Sequence, residues 1–314
     1  MSVRTLGLLA GYVADRCWGD PRRGHPVAVF GAVAGRLEQR MWADDRRAGV
    51  AYSAVLVGGA ALVGLTLDLA TRRRPGARFL LSAATTWAVL GGRSLETEAL
   101  AVHDLLDTGD LRAARRRLTH LVGRDTDRLD ESGISRAVIE SVAENTSDAV
   151  VAPLVAGAVA GVPGMLAYRA ANTLDAMVGH RTDRYANFGW ATARLDDLLN
   201  WVPARITATL AALLSPAVGG RPADAFGAWR RDAAGHPSPN AGSVEATFAG
   251  ALGIQLGGVN SYLGAIEDRR SLGDGRSAQR GDIEAANHLS LSVGAVSALG
   301  AMIATGLLTR RRRP

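Results

Sequence analysis

Long apolar stretches alternate with polar blocks along the chain, and this pattern predicts a helical membrane protein. About 20 residues of helix cross the apolar core of a bilayer, and the clearest stretch, at 49–70, has this length. A shorter stretch occupies 79–92, and three more lie at 149–171, 202–218 and 289–308. The sequence therefore predicts an all-α, multi-pass integral membrane fold with about four to five membrane helices or re-entrant segments, plus amphipathic helices.

The polar block at 93–148 carries dense charge at helical spacing, as in "DLRAARRRLTHLVGRDTDRLD". Such spacing is typical of amphipathic helices with a solvated face. Because no internal repeat or low-complexity linker interrupts the chain, we treat 1–314 as one membrane domain with a polar helical insert at about 93–148. A soluble protein with buried core helices is the alternative, and several apolar stretches in one chain make it the weaker one.

All 36 basic residues are arginine, and the chain has no lysine. This excludes a Walker A lysine, a Schiff base and a lysine general base. A phosphate must then be bound by arginine, main-chain amides or a metal ion. The net charge is +6, but the arginines are scattered among acids without aromatic platforms, which favours anionic lipid or an anionic substrate over nucleic acid. Cys17 stands alone, so a disulfide framework and a cysteine-rich zinc site are excluded.

The arginine distribution predicts the orientation in the membrane. The polar blocks on either side of the first two apolar stretches hold eight arginines each, counted to Arg136, whereas the hairpin between those stretches holds four. Because arginine-rich loops favour the cytoplasmic side, we expect a multi-pass membrane protein with a cytoplasmic active site. We expect no signal peptide, since the short apolar run at the start has no convincing cleavage site.

Two proline-framed turns, "GDPRRGHP" at 19–26 and "HPSPNAG" at 236–242, concentrate polar side chains on short, stiff segments. Asp-Pro and His-Pro commonly mark structural turns. A preorganised loop of this kind also suits phosphate or amide binding. A catalytic serine is not indicated, because the Ser/His pair lacks a third partner. The candidate binding residues in the two turns are Asp20, Arg22, Arg23, His25, His236, Ser238 and Asn240.

The segment "ESVAENTSD" at 140–148 places three acids, Glu140, Glu144 and Asp148, one helical turn apart and directly before an apolar stretch. Like charges at this spacing destabilise a helix by roughly 0.2–0.5 kcal/mol per pair, so a cation is expected to face them. Mg²⁺ suits such a set because it takes one or two carboxylates together with substrate phosphate oxygens. Asn145 lies beside the acids as a candidate binding residue. Solvated surface acids are the alternative interpretation.

A third polar region, "YRAANTLDAMVGHRTDRYANFGWATARLDDLLNWVPAR" at 168–205, follows the same apolar stretch. Asn172 and Asp175 share a helix face there. Basic residues follow in a loop, and an acid opens the next helix. The candidates in this region are Arg169, Asn172, Asp175, Arg181, Arg184 and Asp196.

A straight crossing at 149–171 would put Asp148 and Asp175 on opposite sides of the membrane. The middle of this stretch reads "GAVAGVPG", which combines small-residue spacing with a turn signal. We therefore expect a re-entrant hairpin of two short helices meeting near Pro163, which returns Asn172 and Asp175 beside Asp148. Such a turn must be covered by protein, because bare backbone is not tolerated in lipid.

Together "GDPRRGHPV", "ESVAENTSDAVVAPL", the long 168–205 segment and "HPSPNAG" resemble, in order, the CobD/CbiB family of cobalamin biosynthesis proteins. These are the adenosylcobinamide-phosphate synthases. The resemblance implies a membrane enzyme that joins aminopropanol, or its O-phosphate, to the free propionate of adenosylcobyric acid, a corrinoid, through an amide bond with consumption of ATP. It also implies the bacterial inner (cytoplasmic) membrane as the location, with membrane lipid as surroundings. A second copy or other enzymes of nucleotide-loop assembly are the candidate partners that it implies.

With this resemblance, the acids and arginines gain expected roles. Phosphoryl transfer requires Mg²⁺ and cationic clamps more than a protein nucleophile, and a carboxylate could deprotonate the incoming ammonium. We expect Glu144, Asp175 and Arg169 to be catalytic, and the remaining candidates to position substrate or phosphate. The expected ligands of Mg²⁺ on ATP are Glu140, Glu144, Asp148, Asp175 and Asp196.

Two other function classes stay open. Acids and amides at helix ends also suit a Mg²⁺-dependent intramembrane prenyltransferase, although the DxxxD-type repeats of that class are absent from the sequence. A non-enzymatic membrane sensor of AmpE type is the second, and such a protein would have little need for four polar clusters.

Overall fold

The chain is largely helical. The computed structural model describes residues 2–21, 24–180, 182–262 and 265–311, without the side chains of 261, 262, 265, 266 and 309–311. The predicted site residues Arg22, Arg23 and Arg181 lie outside this description. The helices are α1 (Val3–Trp18), α2 (Pro26–Met41), α3 (Arg46–Thr71), α4 (Pro75–Val89), α5 (Gly92–Asp107), α6 (Leu111–Leu118), α7 (Glu131–Asn145), α8 (Ala152–Val178), α9 (Trp190–Leu214), α10 (Pro222–Asp232), α11 (Ala241–Leu252) and α12 (Gly281–Arg311).

Four helical segments are long and apolar enough to cross a membrane. Within the described residues they are Arg46–Thr71, Glu131–Val178, Trp190–Val218 and Gly281–Leu308. The predicted helical membrane fold is thereby confirmed. The apolar stretch predicted at 79–92 falls mostly in α4, whose 15 residues are fewer than a straight crossing needs.

The contacts divide the chain into two compact units. The first unit comprises Met1–Gly91, Ala152–Asn200 and Ser297–Pro314, and the second comprises Gly92–Val151 and Trp201–Val296. The polar block predicted at 93–148 lies within the second unit.

In the first unit, α1 and α4 approach closely because α1 carries glycine where the two helices meet. A Cβ placed on Gly7 would lie 2.4 Å from the Cβ of Ser82, and one on Gly11 would lie 2.4 Å from the Cβ of Thr86. Small residues of this kind allow helices in membranes to gain dispersion contact over their backbones. The close packing of α1 against α4 therefore requires glycine at positions 7 and 11, because a larger side chain there would clash with α4.

The predicted break in the apolar stretch after Asp148 is present, at Gly161. This residue has φ 69° and ψ −148° and interrupts α8. A Cβ on Gly157 would lie 3.1 Å from the sulfur of Met165, whereas residues eight apart in a continuous helix are separated by about 12 Å. The chain therefore reverses here, in a turn that comes two positions before Pro163.

Arg4 of α1 covers this turn. Its Nε donates to the carbonyl of Gly157 at 3.1 Å and its Nη2 donates to that of Ala158 at 3.2 Å. These carbonyls end the first arm of α8 and have no helical partner beyond the break. Arg4 thus supplies hydrogen-bond donors to the turn within the first unit, and the predicted re-entrant placement in the membrane stays a prediction. The predicted proximity of Asp148 to Asn172 and Asp175 would join residues of both units and stays a prediction.

The second unit contains a small sheet that the sequence analysis did not anticipate. Its strands are β1 (Ile254–Tyr262), β2 (Ala265–Leu272) and β3 (Arg276–Ser277), in the order β2-β1-β3. Strands β1 and β2 are antiparallel, with Leu256 opposite Leu272, and β1 and β3 are parallel. A bulge between Gly257 and Val259 interrupts the first ladder.

Candidate functional site

A buried ion pair fastens α7 to the sheet of the second unit. An Nη of Arg124 donates to the carboxylate of Glu140, and these two side chains are 5% and 3% exposed. The other carboxylate oxygen accepts from the main-chain N–H of Gly257 at 2.7 Å, and Arg124 also donates to Asn260 at 2.9 Å. Glu140, predicted as a Mg²⁺ ligand, therefore has both oxygens engaged by protein donors and does not fit that role.

The acidic ladder departs from regular helical spacing after Asn145. Residues Thr146–Val151 form a π-helical segment, so Asp148 does not continue the α-helical face that holds Glu140 and Glu144. Glu144 and Asp148 are partly exposed, and Asn145 bonds back to the carbonyl of Ser141 at 2.9 Å. The prediction of one shared face assumed an α-helix throughout, and π segments of this kind are often found at functional sites.

A second buried group, the pair His236 and Glu245, lies in the second unit. Their side chains are 2% and 1% exposed, and His236 Nε2 lies 3.8 Å from Glu245 Oε2. Nδ1 of His236 hydrogen-bonds to the main chain of Ser238 at 3.1 Å. Within the described residues, neither Nε2 nor either Glu245 oxygen has a hydrogen-bond partner. Buried polar atoms without partners are rare and often mark strain or function.

Burial, more than the surrounding charges, favours the neutral state of both groups. Burial raises the pKa of Glu245 well above 4.5, and the negative charges of Glu140 and Glu144 raise it further, against the opposing effect of Arg269 and Arg124. Burial also lowers the pKa of His236 from its ordinary value. The pair thus combines an easily protonated carboxylate with an imidazole that resists protonation.

Hydrogen bonds hold the "HPSPNAG" turn against its neighbours. Ser238 Oγ accepts from the main-chain N–H of Ala241 at 3.1 Å, and Asn240 Oδ1 accepts from Arg205 at 2.6 Å. His236, Ser238 and Asn240 are thereby gathered at the start of α11. Their predicted role in binding phosphate or substrate stays a prediction.

Sequence reasoning missed Glu245, Arg124 and Arg269. Glu245 lies in "AGSVEATFAGAL", an otherwise small and apolar helix. A lone acid in such a run is a detectable signal, because isolated charges are rarely buried without a reason. Arg124 and Arg269 gave no such signal, since both lie among other charged residues.

In the first unit, the predicted residues Asn172 and Asp196 are brought together. Asp196 Oδ1 accepts from Asn172 at 3.4 Å, and Oδ2 accepts from Asn200 at 2.9 Å. Asn200 in turn accepts from the hydroxyl of Tyr168 at 2.8 Å. This is a polar chain between α8 and α9. Asp175 lies one turn before the end of α8, with its carboxylate against Gly179.

The remaining predicted residues of the first unit have local partners. His25 caps α2 by accepting from the N–H of Val27 at 3.2 Å, and its other ring nitrogen lies 3.3 Å from Asp20. Arg184 donates to Glu38 at 3.0 Å. Arg169 borders an apolar cavity of about 350 Å³. These contacts account for the positions of the side chains without assigning a substrate to them.

The predicted Mg²⁺ site does not fit the described residues. No group of three or more His, Cys, Asp or Glu side chains in that part of the chain is placed to hold a metal ion. Glu140 is saturated by Arg124 and Gly257, and the oxygens of Asp196 accept from two amides. We therefore derive no chemical step through a protein-bound Mg²⁺.

Comparison with known proteins gives matches over nearly the whole chain. The family model described as CobD/Cbib protein matches residues 8–290. Cobalamin biosynthesis protein CobD of Mycobacterium tuberculosis (strain ATCC 25618 / H37Rv) is 50% identical over 314 residues, covering 99% of this chain and 98% of the relative. The protein of the same name from Pelobacter propionicus is 40% identical, covering 98% and 97%. That from Stutzerimonas stutzeri is 44% identical, covering 89% and 90%. No solved structure matches.

Proposed function

Because the chain belongs to the CobD/CbiB family, as the match over residues 8–290 shows, we propose that it is an adenosylcobinamide-phosphate synthase. A role in cobalamin biosynthesis follows from the family and from the common name of its relatives. The finer proposal is an amide ligase. It joins the free propionate of adenosylcobyric acid to the amine of aminopropanol or of aminopropanol O-phosphate, with ATP as the energy source.

The reaction divides into two balanced steps. The corrin propionate first attacks the γ-phosphorus of ATP, which gives an acyl phosphate and ADP. The amine nitrogen then attacks the acyl carbon, the C–O bond to phosphate breaks, and the amide and inorganic phosphate are released. Since the amine is protonated near neutral pH, one proton must leave the nitrogen before or during this attack.

In this proposal the ionised form of Glu245, beside His236, accepts that proton. A carboxylate with a raised pKa is a stronger base than an ordinary one, and a base works best when its pKa is near the working pH. The two unpartnered oxygens of Glu245 supply the acceptor. The proton passes to Glu245 and then to solvent on product release. Glu144, partly exposed on the neighbouring helix α7, is proposed to bind the incoming ammonium.

Asp175 and Arg169, both in the first unit, are proposed as substrate-binding residues on the ground of their positions within that unit alone. Arg169 borders an apolar cavity, where a guanidinium attracts an anion more strongly than in water. As the chain has no lysine, arginines supply the cations that balance phosphate or carboxylate charge.

The test is reconstitution of the purified protein in detergent with adenosylcobyric acid, ATP with magnesium chloride, and either amine. Mass spectrometry of the corrinoid identifies the amide product, and ADP and phosphate are measured beside it. We expect one ADP and one phosphate for each amide, and the amine that gives the higher kcat/KM is the substrate.

Glu245→Gln keeps the shape of the side chain and removes the base, so we expect kcat to fall about 100-fold or more. Glu284→Gln is the matched control, because Glu284 is an exposed acid of the same unit. Amide formation without ATP, or full activity in Glu245→Gln, would contradict the ligase and the base assignment respectively. The prenyltransferase and sensor alternatives gain no support from the relatives named above, which all carry cobalamin biosynthesis names.

A further inference from the structure

The second unit contains a polar cavity of about 470 Å³ that none of the predicted site residues lines. Its walls are the start of α7, the main chain of β1 at Gln255–Gly258, and side chains of β2 and β3. This volume falls within the range of sites for small molecules, which is roughly 300–1,000 Å³.

Two consecutive glycines line the cavity, and of the two Gly258 is the partly exposed one. Gly257 and Gly258 have φ of 73° and 82°, a region that glycine enters without steric cost. A Cβ on Gly257 would lie 2.0 Å from the carbonyl oxygen of Arg270. Gly258 has no partner in the ladder, because the bulge passes over it. Bulges with glycine often mark a close approach of the backbone to a ligand.

Two arginines give the cavity its charge. Arg136 is fixed, since its guanidinium donates to the carbonyl of Gly257 and to Asn260. Arg128 also lines the cavity and is exposed. Within the described residues the Arg128 side chain makes no ion pair or hydrogen bond. One cation is thus held in place, and a second is available to a ligand.

The other polar groups of the wall include one acid and several hydroxyls. Asp130 is the acid, and its carboxylate caps α7 by accepting from the N–H of Gly133 at 2.8 Å. Its charge is partly compensated by the positive end of the helix dipole. The hydroxyls of Ser132, Ser271 and Ser277 border the cavity, and no hydrogen bond of theirs is found in the described part of the chain.

The wall carries two arginines and one capped acid, and Arg136 is also paired with Glu140 at 3.9 Å. The exposed Arg128 is left to give the cavity a positive charge, which disfavours a simple cation as the occupant. A polar wall with serine hydroxyls and exposed main chain is poor for an apolar ligand. Arginine, hydroxyl groups and glycine main chain are the donors that bind phosphate in proteins that use no lysine. The chemistry of the wall therefore favours a phosphate ester.

We propose that this cavity binds the phosphate group of a phosphorylated substrate. Arg128 donates hydrogen bonds to the phosphate, and Arg136, held in place by Gly257 and Asn260, adds positive charge beside it. The inference rests on the proposed function for the substrate's identity, which is ATP or aminopropanol O-phosphate. The phosphate lies over Gly258, and Ser132 donates from the first turn of α7.

Binding is measured by isothermal titration calorimetry of the full-length protein in detergent with four probes: inorganic phosphate, ATP, aminopropanol O-phosphate and aminopropanol. Arg128→Gln removes a charge-assisted hydrogen bond, so we expect the Kd of the phosphorylated probe to rise about tenfold or more. Ser132→Asp places a negative charge in the cavity and should weaken binding similarly. An acid in the first turn stabilises a helix, so this second variant is expected to fold.

Arg116→Gln is the control, because Arg116 is an exposed arginine of α6 in the same unit and does not line the cavity. If the cavity variants bind only ATP more weakly, the cavity binds a phosphate of ATP. If they bind only aminopropanol O-phosphate more weakly, the cavity binds the phosphate of that amine. Unchanged binding of every phosphorylated probe in both cavity variants, or no binding to the wild type, overturns the proposal. If phosphate binding depends on Arg128 but no amide forms in the reconstituted reaction, the proposed function fails and the cavity assignment stands.

Discussion

Glu140 accepts a hydrogen bond from the main-chain N–H of Gly257 at 2.7 Å, although the two residues are 117 positions apart. The same carboxylate receives the guanidinium of Arg124, and all of this is buried. Glu140 thus holds the end of the bulge in β1 against α7. It couples the fold of the sheet to the shape of the proposed phosphate cavity, since Gly257 is also part of the cavity wall.

Glu140→Ala is expected to destabilise the protein strongly. Removal of one partner leaves Arg124 as a buried charge without its carboxylate, and such losses cost about 3–5 kcal/mol. The measurement is thermal unfolding of the purified protein in detergent, with and without magnesium chloride. We expect the same loss in both conditions, because the partner of Glu140 is arginine and not a metal ion.

Glu131→Ala provides the comparison, because Glu131 is an exposed acid in the first turn of the same helix. Its loss should cost less than about 1 kcal/mol. A Glu140→Ala protein with normal stability in the absence of Mg²⁺, but without the stabilisation that Mg²⁺ gives the wild type, would restore the metal interpretation.

The reversal at Gly161 predicts a specific disulfide. In a Cys17→Ser background, cysteines replacing Gly157 and Met165 should form a disulfide on mild oxidation, because their side chains meet across the turn. Formation is read by mass spectrometry of the linked peptide. In a continuous helix these residues would be about 12 Å apart, too far for the Cα separation that a disulfide allows.

The matched control replaces Gly58 and Thr66, which are also eight residues apart but lie on the uninterrupted helix α3. We expect no disulfide within one chain at this pair. If both cysteine pairs form disulfides equally well, crosslinking does not distinguish a turn from a continuous helix. If the 157/165 pair forms no disulfide, the chain does not reverse at Gly161.

The success and failure of the sequence predictions have physical causes. The break at Gly161 was predictable because glycine and proline act locally on the backbone. The apolar spans were predictable because length and hydropathy are properties of the segment itself. Each of these signals is contained in a few consecutive residues.

The partners of Glu140 were not predictable in this way. Helical spacing shows which residues share a face, but the arginine and amide that neutralise Glu140 come from positions 124 and 257. The π-helical segment that moves Asp148 off the face also has no sequence signature. Strand β1 was missed because "IQLGGVNSY" contains two glycines and a bulge, which interrupt the alternation typical of strands.

Arg184→Ala is expected to have little effect on stability. Arg184 donates to Glu38 at 3.0 Å and lies 4.7 Å from the ring of Trp42, but its side chain is 51% exposed. Exposed ion pairs contribute roughly 0–1 kcal/mol, so the unfolding midpoint should shift only slightly. The position of Arg184 in the polar 168–205 region predicts a substrate-binding role, and this role predicts a rise in KM for adenosylcobyric acid or ATP. A large loss of stability with unchanged KM would show that the contact with Glu38 is its main role.

Glu245 and His236 have opposite effects on how stability depends on pH. The folded-state pKa of Glu245 lies well above its ordinary value of 4.5, so the folded protein keeps a proton that the unfolded chain has lost. Stability contributed by this group therefore falls as pH rises from 4.5 through the raised pKa. The pKa of His236 is lowered from 6.5, and its contribution is lost as pH falls below 6.5 through the lowered value.

Glu245→Gln should therefore remove the loss of stability that accompanies rising pH. The loss of stability at low pH, which comes from His236, should remain. Glutamine stays neutral, so the stability of the variant relative to the wild type is expected to increase as pH rises above 4.5, the ordinary pKa of Glu. His236→Gln should instead remove the loss below pH 6.5. Thermal unfolding midpoints measured across this pH range separate the two.

In the reconstituted reaction, wild-type kcat should rise with pH as Glu245 ionises, and this rise should be absent from Glu245→Gln. Parallel stability curves for Glu245→Gln and the wild type would contradict the raised pKa, and an unchanged pH–rate profile would remove Glu245 as the base.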